Sequence, residues 1–249
     1  MTSPAKYPPN LSAPEYASLL TLVSNEVETA YIIYHTYEEL NRLALKDEAI
    51  FKALNDDADF WQPYRGVLLQ SLFITMSRIF DPAKDAITIQ KLVTATLANR
   101  QLFSRDALKA RKVENGSEPW WLKDFLAAAW VPAEPSDLRH LQKALRPQVT
   151  LFKTVYLPIR NAIYAHRIMT DDRAAEELFP KTNREELGKM IRILQELVAV
   201  IRHLYNNGEQ PKLSELDPGE SGKRIRTNLE KVLRKLANAS PLTSRRGKA

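Results

Sequence analysis

The sequence predicts an all-α fold, and three observations carry that prediction. Leu, Ala, Glu, Lys and Arg, all good helix formers, dominate the chain. Glycine is scarce, at 7 of 249 residues, while the 15 prolines gather in the N-terminal arm and at segment boundaries. Apolar residues recur at spacings of three and four over long stretches, the period of a helix with one face in a core. A chain of this length buries a sizeable core without staples. The expected organisation is a flexible arm over 1–13, a helical domain over 14–208, and a linker with a basic tail over 209–249.

The arm, "MTSPAKYPPNLSA", is polar and proline-rich. Ser12, Pro14 and Glu15 then read as a helix start of the capping-box kind. The helix that follows carries Leu20, Val23, Val27, Tyr31 and Tyr34 on one stripe and is expected to reach about Lys46. In "VLLQSLFITMSRIFDP", Leu69, Leu72, Phe73, Met76, Ile79 and Phe80 form a stripe wide enough for a central, largely buried helix. Asp81-Pro82 must end it, since proline pushes the residue before it out of the α region.

A shorter helix at "TIQKLVTATLANR" precedes a charged stretch to Arg111, and "VENGSEP" is a loop. "WWLKDFLAAAW" reads as a short aromatic helix ending at Val131-Pro132. Its Trp120, Trp121 and Trp130 could stack bases, but core or subunit-interface packing is the favoured reading, given the area a tryptophan buries. Ser136 or Asp137 is expected to cap a long segment from Leu138 that Pro147 and Pro158 kink or divide. Thr182 and Glu185 then make a capping box for the cleanest helix in the chain. Its stripe runs from Leu187 through Met190, Ile191, Leu194, Leu197, Val198, Ile201 and Leu204 to Tyr205, and Asn206-Asn207-Gly208 ends it. Beyond lies the tail, with a short helix expected at "RTNLEKVLRKLANA".

Composition removes several classes of function. With no cysteine, neither a disulfide framework nor a thiolate metal site is available. The four histidines, His35, His140, His166 and His203, show no metal-ligand spacing, so no metal and no cofactor are expected. There is no phosphate-cradling glycine loop and no nucleophile elbow. The N-terminus lacks the apolar core of a secretory signal, and no apolar run approaches the ~20 residues of a membrane span. A cytoplasmic, membrane-free protein is the expectation. Charge is local: from Glu220 onward nine Lys/Arg stand against two Asp/Glu, a net of +7 within a chain total of +6. Such a tail attracts polyanions through counterion release without reading sequence, or it is simply solvated.

The stretch "LPIRNAIYAHRI" (157–168) places Arg160, Asn161 and His166 in an otherwise apolar run. An imidazole titrates near neutrality and suits proton transfer. A guanidinium offers a permanent cation and a planar fork of donors for phosphate oxygens. The pair suits ribonucleolytic transesterification, in which a base deprotonates a ribose 2′-OH and a cation stabilises the resulting phosphorane. One straight helix does not bring them together: six residues turn through about 600° and rise ~9 Å, leaving the side chains about 120° apart. Either a kink near Pro158 or two copies meeting across a two-fold axis would close the site. Arg78 and Asp81 end the central helix one turn apart, where an i,i+3 ion pair would offset the carboxylate's unfavourable position at a helix C-terminus.

"RNAIYAH" resembles the motif of the HEPN superfamily: arginine, four to six residues, histidine, with a polar residue often directly after the arginine. "LFITMSRIFDPAKDAITIQKL" is similar to the upstream helix of its AbiU-type abortive-infection branch, with Arg78 and Asp81 on that pattern. The resemblance implies a HEPN-like helical bundle that dimerises so that both motifs face one cleft. It implies a metal-independent endoribonuclease, a toxin or phage-defence effector in which Arg160 and His166 are catalytic and Asn161 orients or contacts RNA. Arg78, Asp81 and Tyr164 would support the cleft. RNA, a second copy and, for a toxin, an antitoxin protein are the partners implied. One toxin subgroup carries a tyrosine two residues after the histidine for control by a nucleotidyltransferase antitoxin; here that position is Ile168 and Tyr164 lies inside the motif, so that control does not carry over. Some relatives bind RNA or protein without chemistry, which is the alternative reading.

Overall fold

The computed structural model describes residues 11–83, 85–113, 116–161, 183–213 and 222–239. Tyr164, His166 and Ile168 lie outside them. The fold is all-α, as expected. Its spine is α1, Ala13–Lys46, opened by the reciprocal cap of the sequence: Glu15 N–H donates to Ser12 Oγ (3.4 Å) and Ser12 N–H to Glu15 Oε2 (2.8 Å). The arm is tied down at its end, where Leu11 N–H donates to the buried Asn99 side chain (2.8 Å).

Then come α2 (Glu48–Asp56), α3 (Ala58–Ile79), α4 (Ile89–Ala98), α5 (Arg105–Lys112) and α6 (Leu122–Ala128). The helix α2 and the first turns of α3 were not anticipated, because the exposed aromatics between Ile50 and Val67 blur the helical stripe there. A rod follows, built from α7 (Arg139–Leu151), a π-helical turn (Phe152–Tyr156) and α8 (Leu157–Ile159). Last are α9 (Arg184–Asn207) and α10 (Lys223–Ala239). No described helix is long and apolar enough to cross a membrane.

The main core is one cluster shared by α1, α3, α4, α7 and α9, and every stripe residue of α9 expected from the sequence is buried in it. Phe80 at the end of α3 stacks on Phe152 of the rod at 4.8 Å, which adds a specific geometry to the area both bury. The buried Tyr16 hydroxyl shares a hydrogen bond with Thr96 (2.7 Å), so α1 and α4 meet without an orphan polar group. Gly208 ends α9 with φ +64°, and an added Cβ would press on Ala129 and Leu108. Glycine is required there on both counts.

Two helix boundaries and one packing expectation differ from the reading of the sequence. Asn183, not Thr182, caps α9, its side chain accepting from Glu185 N–H (2.9 Å) and Glu186 N–H (3.4 Å). Asp137 does not cap α7 but turns back to accept from Ala133 and Glu134 N–H (2.9 and 3.0 Å), ahead of a 3-10 turn at Pro135–Leu138. The two outer tryptophans are not core, Trp120 being 92% and Trp121 37% exposed. Only Trp130 packs on the main cluster.

The basic region from 209 onward carries a docked helix. Leu233 of α10 is buried with Leu40, Leu43 and Ile50 in a second, smaller core, and Leu229 and Ala237 pack against it. Arg234 fixes the register by pairing with Asp47 (2.8 Å) and Glu230 (2.8 Å). At the entry to α10, Gly222 has φ +73° and donates its N–H to Tyr31, and a Cβ there would overlap the His35 ring. The chain thus turns onto α1 through the one residue type that fits.

Candidate functional site

The rod positions Arg160. Phe152, Tyr156 and Ile159 are all buried and anchor one face of it. Pro158 does not break the helix; the winding widens to the π form just before it, which relieves the clash of a proline ring with the carbonyl four residues back. Arg160 and Asn161 continue in the same wide winding. Arg160 is half-buried and donates through Nη1 to Asn161 Oδ1 (3.0 Å), while Asn161 is exposed. Arg160 Nε is buried and has no hydrogen-bond partner among the described residues.

The upstream pair behaves differently. Arg78 reaches back to α1, donating to Glu26 Oε2 (3.0 Å), and also to Thr75 Oγ1 (3.3 Å). Asp81 accepts from Ala83 N–H (2.8 Å) and so closes the turn after α3. The expected Arg78–Asp81 ion pair is absent, because Glu26 offers Arg78 a carboxylate across the helix interface. No hydrogen bond or ion pair joins either residue to Arg160 or Asn161. The nearest link is the Phe80–Phe152 stack, and Phe152 lies eight residues before Arg160, roughly 12 Å along a helix.

Beside the rod is a pocket of about 150 Å³ that the sequence did not suggest. Tyr34, Tyr37 and Glu38 of α1 line it, with Leu72 and Phe73 of α3, Tyr156 of the rod, and Asn183 and Arg184 at the start of α9. Tyr156 stands four residues before Arg160 on the rod and ties the pocket to it; Arg160 itself does not line the pocket. The Tyr34 hydroxyl donates to Arg184 O (3.1 Å) and that of Tyr156 to Asn183 O (3.1 Å). Burial pushes both phenols up to about 12. Burial also raises Glu38 from its ordinary value, with Arg184 opposing it, and among the described residues Glu38 Oε1 is buried without a partner. The only sequence sign was Tyr34, Tyr37 and Glu38 at i, i+3 and i+4, polar groups on one face of α1.

The described histidines are occupied elsewhere. His140 Nε2 meets Pro211 O (2.6 Å) and His203 Nδ1 meets Glu209 (2.8 Å). His35 is held down to about 4 by burial first, then by Arg226 and Arg192, and stays neutral at ordinary pH. None of the three is placed beside Arg160, which leaves His166 as the base candidate of the sequence motif.

A family model described as AbiU2, of the HEPN domains, matches residues 14–237. The match takes in α10 as well as the main bundle. No curated protein and no solved structure gives a significant match.

Proposed function

The chain belongs to the AbiU2 family of HEPN domains, and from that premise we propose that it is an endoribonuclease of abortive-infection type. His166 takes the proton from a ribose 2′-OH, the oxygen attacks the adjacent phosphorus, and Arg160 stabilises the charge on the phosphorane. The products are a 2′,3′-cyclic phosphate and a free 5′-OH. Base and cation both come from side chains, so the step needs no metal. Asn161 holds the guanidinium and contacts the RNA.

The observation that carries this reading is the state of Arg160: half-buried, braced by Asn161, with a buried Nε that nothing in the described chain uses. On an ideal α-helix the six-residue spacing would keep arginine and histidine apart, so the working site is proposed at a two-fold interface where two motifs converge. The exposed side of α10, with Lys223, Arg224, Lys231 and Lys235, supplies a sequence-independent hold on the RNA backbone. A protein of this kind acts in the cytoplasm as a toxin or defence effector, and an antitoxin protein is the partner that would restrain it.

The test is cleavage of single-stranded RNA in EDTA by the purified protein, with the product ends identified. Cyclic phosphate ends with the wild type, and none with His166→Ala at unchanged dimer content, are expected. Equal cutting by the variant would assign the activity to a contaminant. Tight RNA binding with no cutting by either protein would replace the proposal with the non-catalytic binding module.

A further inference from the structure

The pocket beside the rod has a chemical bias. Tyr34 and Tyr156 spend their hydroxyl protons on the carbonyls of Arg184 and Asn183, so they offer a ligand only oxygen lone pairs. Glu38 adds a carboxylate oxygen that is buried and unpartnered. These three oxygens belong to residues that line one small space, and its cation, Arg184, lies at the exposed rim. The remaining walls are Leu69, Leu72, Phe73 and Leu187, together with Tyr37 and Asn183, whose polar groups can also reach a ligand. Single-stranded RNA is read in such places, by splayed bases packed on aromatic side chains and hydrogen-bonded along their edges.

Size and polarity narrow the ligand. A volume of about 150 Å³ is that of a cavity which takes one six-membered ring such as benzene. A pyrimidine ring matches this volume, and a purine is larger than it. Cytosine presents an amino donor beside two acceptors, N3 and O2. Uracil puts a carbonyl oxygen where cytosine has the amino group, and the ionised form of Glu38, which Arg184 favours against burial, would repel that oxygen.

We infer that this pocket is a cytosine subsite, in which the N4 amino group donates to Glu38 and Arg184 answers the ring acceptors. A carboxylate accepting from cytosine N4 is a standard base contact, and the donor would relieve the burial of an unpaired oxygen that now costs free energy. The inference rests on the endoribonuclease reading for its substrate, and it makes the enzyme a cutter next to cytidine.

Calorimetric titration of the full-length protein with cytidine, uridine and adenosine 3′-monophosphates tests it. Cytidine monophosphate is expected to bind about tenfold more tightly than the uridine nucleotide, the scale of one good base contact. Glu38→Leu should bring that ratio close to one with the helical circular dichroism intact. Leu69→Phe, which fills the pocket from α3, should weaken both nucleotides together. Equal affinities in the wild type, no binding of either pyrimidine, or a preference that survives Glu38→Leu would each overturn the assignment. Mapping of cleavage ends separates the two readings. Cutting without a cytidine bias refutes the subsite alone, and a cytidine preference in binding without any cutting refutes the ribonuclease alone.

Discussion

The helix α9 and the rod from Arg139 to Asn161 are of similar length, and they are built on opposite terms. The first is regular from end to end: an asparagine cap at Asn183, acidic residues in the first turn, one apolar stripe, and a left-handed glycine at Gly208. The second starts without a side-chain cap at Leu138, carries Pro147 and Pro158, and changes winding at Phe152. Local signals alone would stop a helix there, so tertiary contacts hold it: the stack of Phe152 on Phe80 and the hydrogen bond from Tyr156 to Asn183. Wide turns of this kind recur at functional sites because they re-aim the side chains beyond them. The regular helix carries packing, and the irregular one carries Arg160.

The contrast breaks most sharply at Phe152. Phe152→Ala removes the stack that compensates the poor local signals, and a fully buried phenylalanine lost from a core costs about 3–5 kcal/mol. Urea unfolding should show that loss, and the RNA cleavage should fall further than the unfolded fraction accounts for. A variant as stable as the parent would mean that the rod stands on its own propensity. Next in size is Gly188→Ala in α9. Its Cβ would lie 2.8 Å from Cζ of Tyr34 and closer still to the hydroxyl, so overpacking of about 1–3 kcal/mol is expected. Because Tyr34 lines the pocket beside the rod, the same change should also lower nucleotide affinity, whereas Phe152→Ala acts on the rod first.

The same contrast explains what was legible in the sequence. All of α9 was readable because period, length and terminator agree, and only its cap was misplaced, by one residue, between two types that both cap well. Likewise Ser12 and Glu15, four residues with a reciprocal bond, needed no tertiary information. The rod was read as interrupted, since a proline's local effect is visible in sequence and the packing that overrides it is not. Arg160 and Asn161 stood out by polarity in an apolar run. Glu38 did not, because a glutamate on a long amphipathic helix looks solvated until α3 and α9 are laid over it. The partner of Arg78 was also hidden: Asp81 is near in sequence, and Glu26 is near only in the fold.

Smaller effects sharpen the comparison. Asn183→Ala deletes the acceptor for two N–H groups of α9 and should cost about 1 kcal/mol, the usual value of a cap. The circular dichroism melt should move down by a few degrees, with RNA cleavage otherwise retained. If activity falls in step with the cap, α9 is part of the site and not only its support.

The smallest expected effect on stability belongs to the residue with the largest expected effect on function. Among the described residues, Arg160 keeps a buried Nε without a partner and makes one hydrogen bond, to the next residue in the chain. An unsatisfied buried donor costs free energy, and replacing it with apolar atoms of similar shape is neutral or favourable. Methionine has a similar unbranched stem and helix propensity. Arg160→Met is therefore expected to leave the unfolding midpoint unchanged or slightly raised, within about 0.5 kcal/mol. Cleavage should nonetheless fall by about 10²–10³-fold, the scale for losing one group that stabilises transition-state charge. A loss of stability beyond 1 kcal/mol (roughly the value of a satisfied hydrogen bond) would make Arg160 a packing residue and dissolve the contrast between the two helices. A stable, inactive variant would show the arginine held at a cost to the fold for what it does to RNA.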